Sequence, residues 1–283
     1  MNKIAIGTVQ FGMNYGINNQ IGIPKNKEIS NILKFAHMNG IDTLDTAISY
    51  GNSEKKIGQL KENFFKIVTK FSGINNFSDL ENELSKSLSQ LQVEKLYGFI
   101  FHNVNDLINN PEIWNFLAKL KALNKVEKIG FSLYNEHQLN KILNLGIIPD
   151  LVQLPYSILD RSLESSLIKL KQYNVETHIR SVFLQGLYFR NPNSLPEKIL
   201  PLKPYLEKLH KICSENNISM SQLALNFVRQ NKNIDKVIIG SDSVDQLREN
   251  SSAMNYNLEP KLIKSVQEIN VKEKELLNPI NWN

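Results

Sequence analysis

The amino-acid sequence predicts a (β/α)₈ barrel, in which strands of a closed parallel sheet alternate with helices packed outside it. Three observations predict it. Short β-branched runs alternate with longer amphipathic stretches along the chain. Eight such repeats fall within roughly 240 residues, close to the ~250 typical of that barrel. Polar residues end six of the runs, on the face where such barrels carry their active groups.

The first run is Ile4–Thr8, followed by a long connection, Val9–Lys25, and a helical pattern of Ile29, Ile32, Leu33 and Ala36. The second, Ile41–Asp45, leads through Ala47–Tyr50 to a helix predicted to start near Asn52 or Ser53. Lys66–Lys70 is the third, and Leu80, Leu84, Leu88 and Leu91 mark the helix behind it. Tyr97–His102, Lys128–Ser132 and Leu151–Leu154 come next, with Leu163, Leu167 and Leu170 marking a helix after the last of them. Val175–Ser181 and Lys236–Gly240 complete the set. Val182–Leu202 and the tail beyond Glu259 are long connections, a kind that is often functional. Strict alternation favours a parallel sheet with helices outside. An open doubly wound sheet is the alternative, but no GxGxxG follows any of the runs. No linker rich in Pro, Gly or Ser divides the chain, so residues 1–283 read as one domain.

Composition narrows the function classes. Of the residues, 41% are hydrophobic and 22% charged, which supports a sizeable core and excludes a disordered chain. One cysteine, Cys213, permits no intrachain disulfide and reads as a helix-borne, partly buried thiol, consistent with a reducing cytoplasm. No cluster of His or Cys suggests a metal. No segment approaches the ~20 apolar residues of a membrane span, and the first residues do not form a signal peptide. The formal charge of +5 is spread over lysines that often neighbour Glu, so a nucleic-acid surface is not expected. The expectation is a cytoplasmic protein, monomeric or weakly dimeric, that binds a small molecule.

The polar strand ends are Asp45, Lys70, His102, Ser132, Gln153 and Arg180. Taken singly, each has a plain reading: Asp45 as a helix cap, Lys70 as a surface charge, His102 as a satisfied core histidine, Tyr50 as a loop aromatic. Their joint placement is harder to explain that way. Tyr50 stands where it can reach over the barrel mouth. A neighbouring Lys70 ammonium is expected to lower the phenol from its ordinary ~10, with Asp45 orienting the lysine. His102 is placed to hydrogen-bond a substrate oxygen. Such a set suits carbonyl reduction: hydride added to a C=O carbon leaves an alkoxide, which the phenol protonates. No side chain supplies hydride, so a nicotinamide is implied. His37, His137, His178 and His210 read as structural or solvent-facing.

The segment Gly40–Glu54, with Asp45 and Tyr50 five positions apart, resembles the signature of the aldo-keto reductase superfamily. Ile67–Lys70, Phe101-His102, Ile129–Ser132 and Val152–Tyr156 resemble further segments of that family. The resemblance implies a catalytic tetrad of Asp45, Tyr50, Lys70 and His102, with Ser132 and Gln153 holding the nicotinamide amide. Thr8 is also expected at the cofactor. Ile238–Asn250 resembles the adenosine-binding strand and helix, which places Gly240, Ser241, Asp242, Gln246 and Asn250 at the cofactor, NADP(H) or NAD(H).

Departures from the family pattern carry information. Asp242 stands where many members have a base for the 2′-phosphate of NADPH, which favours NADH unless Lys236 or Arg248 compensates. Leu133 replaces an Asn beside Ser132. Arg180 replaces a Tyr that stacks on the nicotinamide; a guanidinium plane can stack too, but its charge disfavours the oxidised ring. Val9 replaces a pocket Trp, which suggests a roomier site. The short N-terminal stretch leaves no room for a hairpin plugging the barrel bottom. The leading expectation is reduction of an aldehyde or ketone, with a sugar or nucleotide-linked keto sugar as one candidate. Two alternatives stand beside it: a slow-turnover, redox-sensing cofactor-binding subunit, and a lyase or epimerase using Lys70 as a Schiff-base amine. Asp45 beside Lys70 argues against the last.

Overall fold

The computed structural model describes residues 2–282 apart from 18, 20, 62, 63 and 75. Eight parallel strands close on themselves in sequence order, β1 pairing with both β2 and β8. They are β1 (Ile4–Gly7), β2 (Thr43–Asp45), β3 (Lys66–Phe71), β4 (Leu96–Phe101), β5 (Val126–Ser132), β6 (Leu151–Pro155), β7 (Glu176–Arg180) and β8 (Lys236–Gly240). All eight lie where the β-branched runs predict them, and the second is shorter because its pairing begins only at Thr43.

The helices between them follow the apolar spacing. A short turn, α1 (Val9–Gly12), follows β1 within the first long connection. Helix α2 (Asn26–Met38) buries Ile29, Ile32, Leu33 and Ala36, a stripe on one face. Helix α3 (Ser53–Leu60) starts where expected after Tyr50, and α4 (Phe77–Leu91) buries Leu80, Leu84 and Leu91. Between strands and helices lies an aromatic layer in which the Phe71 ring packs at 4.4 Å from Phe99 and 4.6 Å from Phe101. Each such fully buried side chain contributes roughly 1.5–3 kcal/mol. Cys213 is buried in a helix, α5 (Lys203–Glu215), and burial pushes its thiol up to about 11.

Inside the barrel the middle is apolar and both ends are polar. Val68, Ile100 and Leu151 form a separate buried cluster with Tyr97 against it. Below them, at the strand starts, Glu176 accepts from Tyr97 Oη at 2.6 Å, pairs with Lys128 and contacts His178 Nε2 at 2.6 Å. Asp42 pairs with Lys236 and, at 3.2 Å, with Lys66. These ion pairs occupy the end of the barrel opposite the polar strand ends, and β1 is the first element of the described chain. Among the described residues no helix is long and apolar enough to cross a membrane, and no His, Cys, Asp and Glu group is arranged to hold a metal ion.

Candidate active site

Parallel closure brings the C-terminal ends of all eight strands to one face, and a cleft of about 620 Å³ opens there. Asp45, Tyr50, His102, Ser132, Gln153, Arg180, Gly240, Asp242, Gln246 and Asn250 border it, as does Thr8. Residues scattered over the chain thus share one wall system, because β-strand order equals sequence order.

Lys70 lies beneath this floor. It is 1% exposed and donates to both Asp45 carboxylate oxygens at 2.8 Å and to the Thr46 carbonyl at 2.7 Å. All three ammonium donors are therefore used. The amine does not border the cleft, so a Schiff base at Lys70 has no approach. Gln153 Nε2 donates to the same carboxylate, 2.7 Å from Asp45 Oδ1.

Tyr50 and His102 sit together above that pair, their rings 5.8 Å apart and edge to face. The Lys70 ammonium lies 5.1 Å from the centre of the Tyr50 ring. From the sequence, Lys70 is expected to acidify Tyr50, and the structure reverses the direction. Burial raises the phenol well above its ordinary value, and the Asp45 charge adds to it. The reason is geometric: the Lys70 charge is compensated by Asp45 and offset by burial, which itself works to lower the ammonium's pKa. His102 is pushed down to about 4 by burial, then by the Lys70 charge, so the ring is neutral near pH 7. Its Nδ1 is 3.2 Å from Ser49 Oγ.

The other end of the cleft starts at β8. The Gly240 backbone is so closely covered that a Cβ there would lie 2.1 Å from Gln10 Nε2. Gln10 Oε1 and Ser241 Oγ are buried without a hydrogen-bond partner. Orphaned buried polar atoms are rare, and two beside a bare glycine backbone fit the polar middle of a dinucleotide. Beyond them, Gln246 Oε1 accepts from the Asp242 amide at 2.9 Å, just ahead of a helix, α6 (Val244–Ala253). Burial raises the Asp242 carboxyl. Glu28, from α2, accepts from the Val244 amide at 2.7 Å, so the helix start already holds a carboxylate.

One sequence expectation changes here. Lys236 cannot compensate for Asp242, because it begins β8 and is bound to Asp42 at the far end of the barrel. Thr8 borders the cleft, but its hydroxyl donates to the Asp45 carbonyl at 3.0 Å and accepts from Ser53 Oγ at 2.9 Å, tying β1 to β2 and α3. Sequence reasoning also misses Gln10, Tyr15, Gln185 and Glu28. Tyr15 Oη accepts from Gln185 Nε2 at 3.0 Å, joining the two long connections at the cleft rim. For Tyr15 and Gln185 the one sequence signal is the unusual length of those connections. The other histidines are structural or peripheral: His178 is fully buried on Glu176, His210 meets the Tyr188 carbonyl, and His37 stacks on Phe64.

A closed (β/α)₈ barrel whose mouth carries a dinucleotide-sized cleft beside a buried phenol, imidazole and lysine–carboxylate pair is the architecture of a nicotinamide-dependent oxidoreductase. The Aldo/keto reductase family profile matches residues 3–271, and the chain belongs to that family. It is therefore an NAD(P)H-dependent oxidoreductase of carbonyl compounds. It is 26% identical over 271 residues to the NADH-specific methylglyoxal reductase of Escherichia coli (strain K12), covering 79% of this chain and 81% of that protein. It is 25% identical to an L-glyceraldehyde 3-phosphate reductase of Escherichia coli O157:H7, covering 79% and 78%. Among solved structures, an aldo-keto reductase from Bacillus halodurans in its holo form superimposes with a TM-score of 0.78 at 19% identity, covering 96% of this chain and 94% of that one. A glycerol dehydrogenase from Gluconobacter oxydans gives 0.75 at 18% identity, covering 95% and 91%.

Proposed function

We propose that this protein reduces a small aldehyde or ketone with NADH, with Tyr50 donating the proton. The observation that carries the reading is the Tyr50–His102 pair standing in the cleft directly above the buried Asp45–Lys70 ion pair. NADH, when bound, supplies a hydride. Ser132 and the Oε1 of Gln153 hold the carboxamide end. Gly240, Ser241 and Gln10 line the polar middle, and Gln246 and Asn250 the adenine end. Asp242 accepts from ribose hydroxyls, and together with Glu28 it repels a 2′-phosphate.

The chain's own groups then act on the carbonyl. His102 is neutral; with the Ser49 hydroxyl donating to Nδ1, its Nε2–H faces the substrate oxygen and orients it. Tyr50 is fully protonated at working pH because its pKa is raised, which is the state a proton donor needs. An alkoxide is far more basic than a phenolate, so transfer from Tyr50 Oη stays downhill as oxygen charge develops. Asp45 and Lys70 hold the floor beneath the Tyr50 ring rigid, with the ammonium 5.1 Å from the ring centre. The NADH preference and small carbonyl also agree with the name of the E. coli relative, an NADH-specific methylglyoxal reductase.

The test follows NADH oxidation by absorbance across a panel of aldehydes and ketones. Tyr50→Phe is expected to lower kcat about 10²- to 10⁴-fold while leaving the thermal midpoint in place. A phenylalanine variant that turned over at the parental rate would refute the assignment of the donor.

A further inference from the structure

A second cavity of about 300 Å³ lies beside the catalytic cleft, under the C-terminal segment around Val271 and Leu277. That is at the small end of the ~300–1,000 Å³ range of ligand sites. Tyr134, Arg180 and Ser181 border both spaces, so the two meet at these residues. The Arg180 guanidinium lies flat on Tyr134, its Cζ 4.2 Å from the ring centre. Its polar contacts are few: Nη2 to the Leu133 carbonyl at 3.3 Å and Nη1 to Ser181 Oγ at 3.5 Å. Among the described residues no carboxylate lies within ion-pair distance of it. A guanidinium has five N–H donors, so most of the fork is left for a ligand.

The rest of the smaller cavity points the same way. Arg161, on its wall, is spent on the carbonyls of Ile158, Gln267 and Ile269. Asp160 accepts at Oδ1 from the Ser162 amide and hydroxyl at 3.2 and 2.7 Å, and it is the one carboxylate on this wall among the described residues. Against that one carboxylate stand three cations, Arg161, Arg180 and Lys274, so the lining is positive on balance, and Arg180 and Lys274 hold the free donors. The Arg180 charge is also felt at Tyr50, His102 and Lys70, which sets it close to the reacting groups. A half-buried cation without a counter-ion is costly unless an anion joins it.

We infer that Arg180 is the anion-binding group of the substrate site, and that the natural substrate is a carbonyl compound bearing a phosphate or carboxylate that lodges in the smaller cavity against Arg180 and Lys274. The inference rests on the reductase reading above and names its substrate class. Phosphate and carboxylate offer the same paired oxygens to the guanidinium fork.

Two measurements test it. In the first, NADH-saturated protein is titrated with glycerol 3-phosphate, which has no carbonyl, and binding is read by thermal shift and calorimetry. Binding is expected in the parent, with affinity about 10- to 100-fold weaker in Arg180→Gln. Binding of glycerol 3-phosphate to the NADH-free protein that is lost in the NADH-saturated protein would assign the anion site to the cofactor's phosphates and overturn the inference. In the second, kcat/KM is compared for glyceraldehyde 3-phosphate against glyceraldehyde, and for succinic semialdehyde against butanal. The anionic-to-neutral ratio is expected to exceed one in both pairs and to fall about 10- to 100-fold in Arg180→Gln. An unchanged ratio overturns the proposal, and a preference confined to one pair decides between phosphate and carboxylate as the natural group. Should Arg180→Gln not fold, Arg180→Lys replaces it: a charge without the fork is expected to weaken glycerol 3-phosphate several-fold, and parental affinity overturns the inference. If no carbonyl is reduced at all, the reductase reading fails, while the glycerol 3-phosphate titration still judges the anion site by itself.

Discussion

At the N-terminal end of the barrel, Glu176 meets Lys128, His178 and Tyr97, and Asp42 meets Lys236 and Lys66. At the C-terminal end, Asp45 meets Lys70 and Gln153, with Tyr50 and His102 alongside. The residue types are nearly the same: carboxylate, lysine, histidine, tyrosine. The electrostatic outcomes differ. At the lower end burial works to raise the carboxyls, but hydrogen bonds outweigh it. Asp42 is held down to about 2 by Lys236, Thr43 and Lys66, and Glu176 falls well below the carboxylate range through His178, Lys128 and Tyr97. At the upper end burial prevails on the groups that face the cleft, raising Tyr50 and depressing His102. The lower end closes its charges on one another. The upper end leaves polar groups open: Arg180 and Gln10 border the cleft, and Gln10 Oε1 and Ser241 Oγ are buried without a hydrogen-bond partner.

The comparison predicts that breaking an ion pair has unlike consequences at the two ends. The largest effect belongs to Lys70→Met. It strands a buried Asp45 charge, and denaturant unfolding is expected to show a loss of about 3–5 kcal/mol. Carbonyl reduction is expected to fall with it, because the floor under Tyr50 is lost. A Lys70→Met protein that kept both stability and turnover would erase the contrast.

Glu176→Gln comes next. Lys128 is 27% exposed and can turn to water, so the expected loss is smaller, roughly 1–3 kcal/mol. Its turnover per folded molecule should match the parent, since the cleft lies at the opposite end. The pH dependence sharpens this further. Glu176 and Asp42 have folded-state pKa values below their unfolded ones. Their stabilisation is present above about pH 4.3 and is lost as pH falls through the folded values toward 2. Unfolding curves from pH 5 to 2 should therefore steepen in the parent and flatten in Glu176→Gln. Equal slopes would mean that the lower network does not carry the acid response.

The smallest effect is expected where the upper face meets α6. Asp242→Asn combined with Glu28→Gln removes two negative charges from the helix start. Fluorescence titration should then show the NADPH-to-NADH Kd ratio falling about 10-fold, the scale of one to two partly screened charges. A ratio that did not move would place cofactor selection elsewhere.

Much of the site is legible in the chain itself. Asp45, Lys70 and His102 end β-branched runs, and a parallel sheet must bring such ends to one face. Tyr50 is reachable because its loop joins a predicted strand to a predicted helix. The adenosine end is legible only as a segment, Ile238–Asn250; neither the carboxylate that Glu28 brings from α2 nor Gln10 over Gly240 has any local mark. Both contacts join segments more than 200 residues apart. The direction of the Tyr50 shift is also out of reach, since spacing shows that a lysine is near but not that its charge is consumed by Asp45.

The sequence by itself determined the alternation of strand and helix, the order of the strands and the polar residues that end them. These follow from side-chain periodicity and backbone propensity, which are local. Tertiary structure alone decided which charges cancel, which stay open and how far water is excluded from each. A pKa or an unpaired donor depends on everything packed around it in three dimensions, and burial is a property of the closed barrel rather than of any stretch of chain.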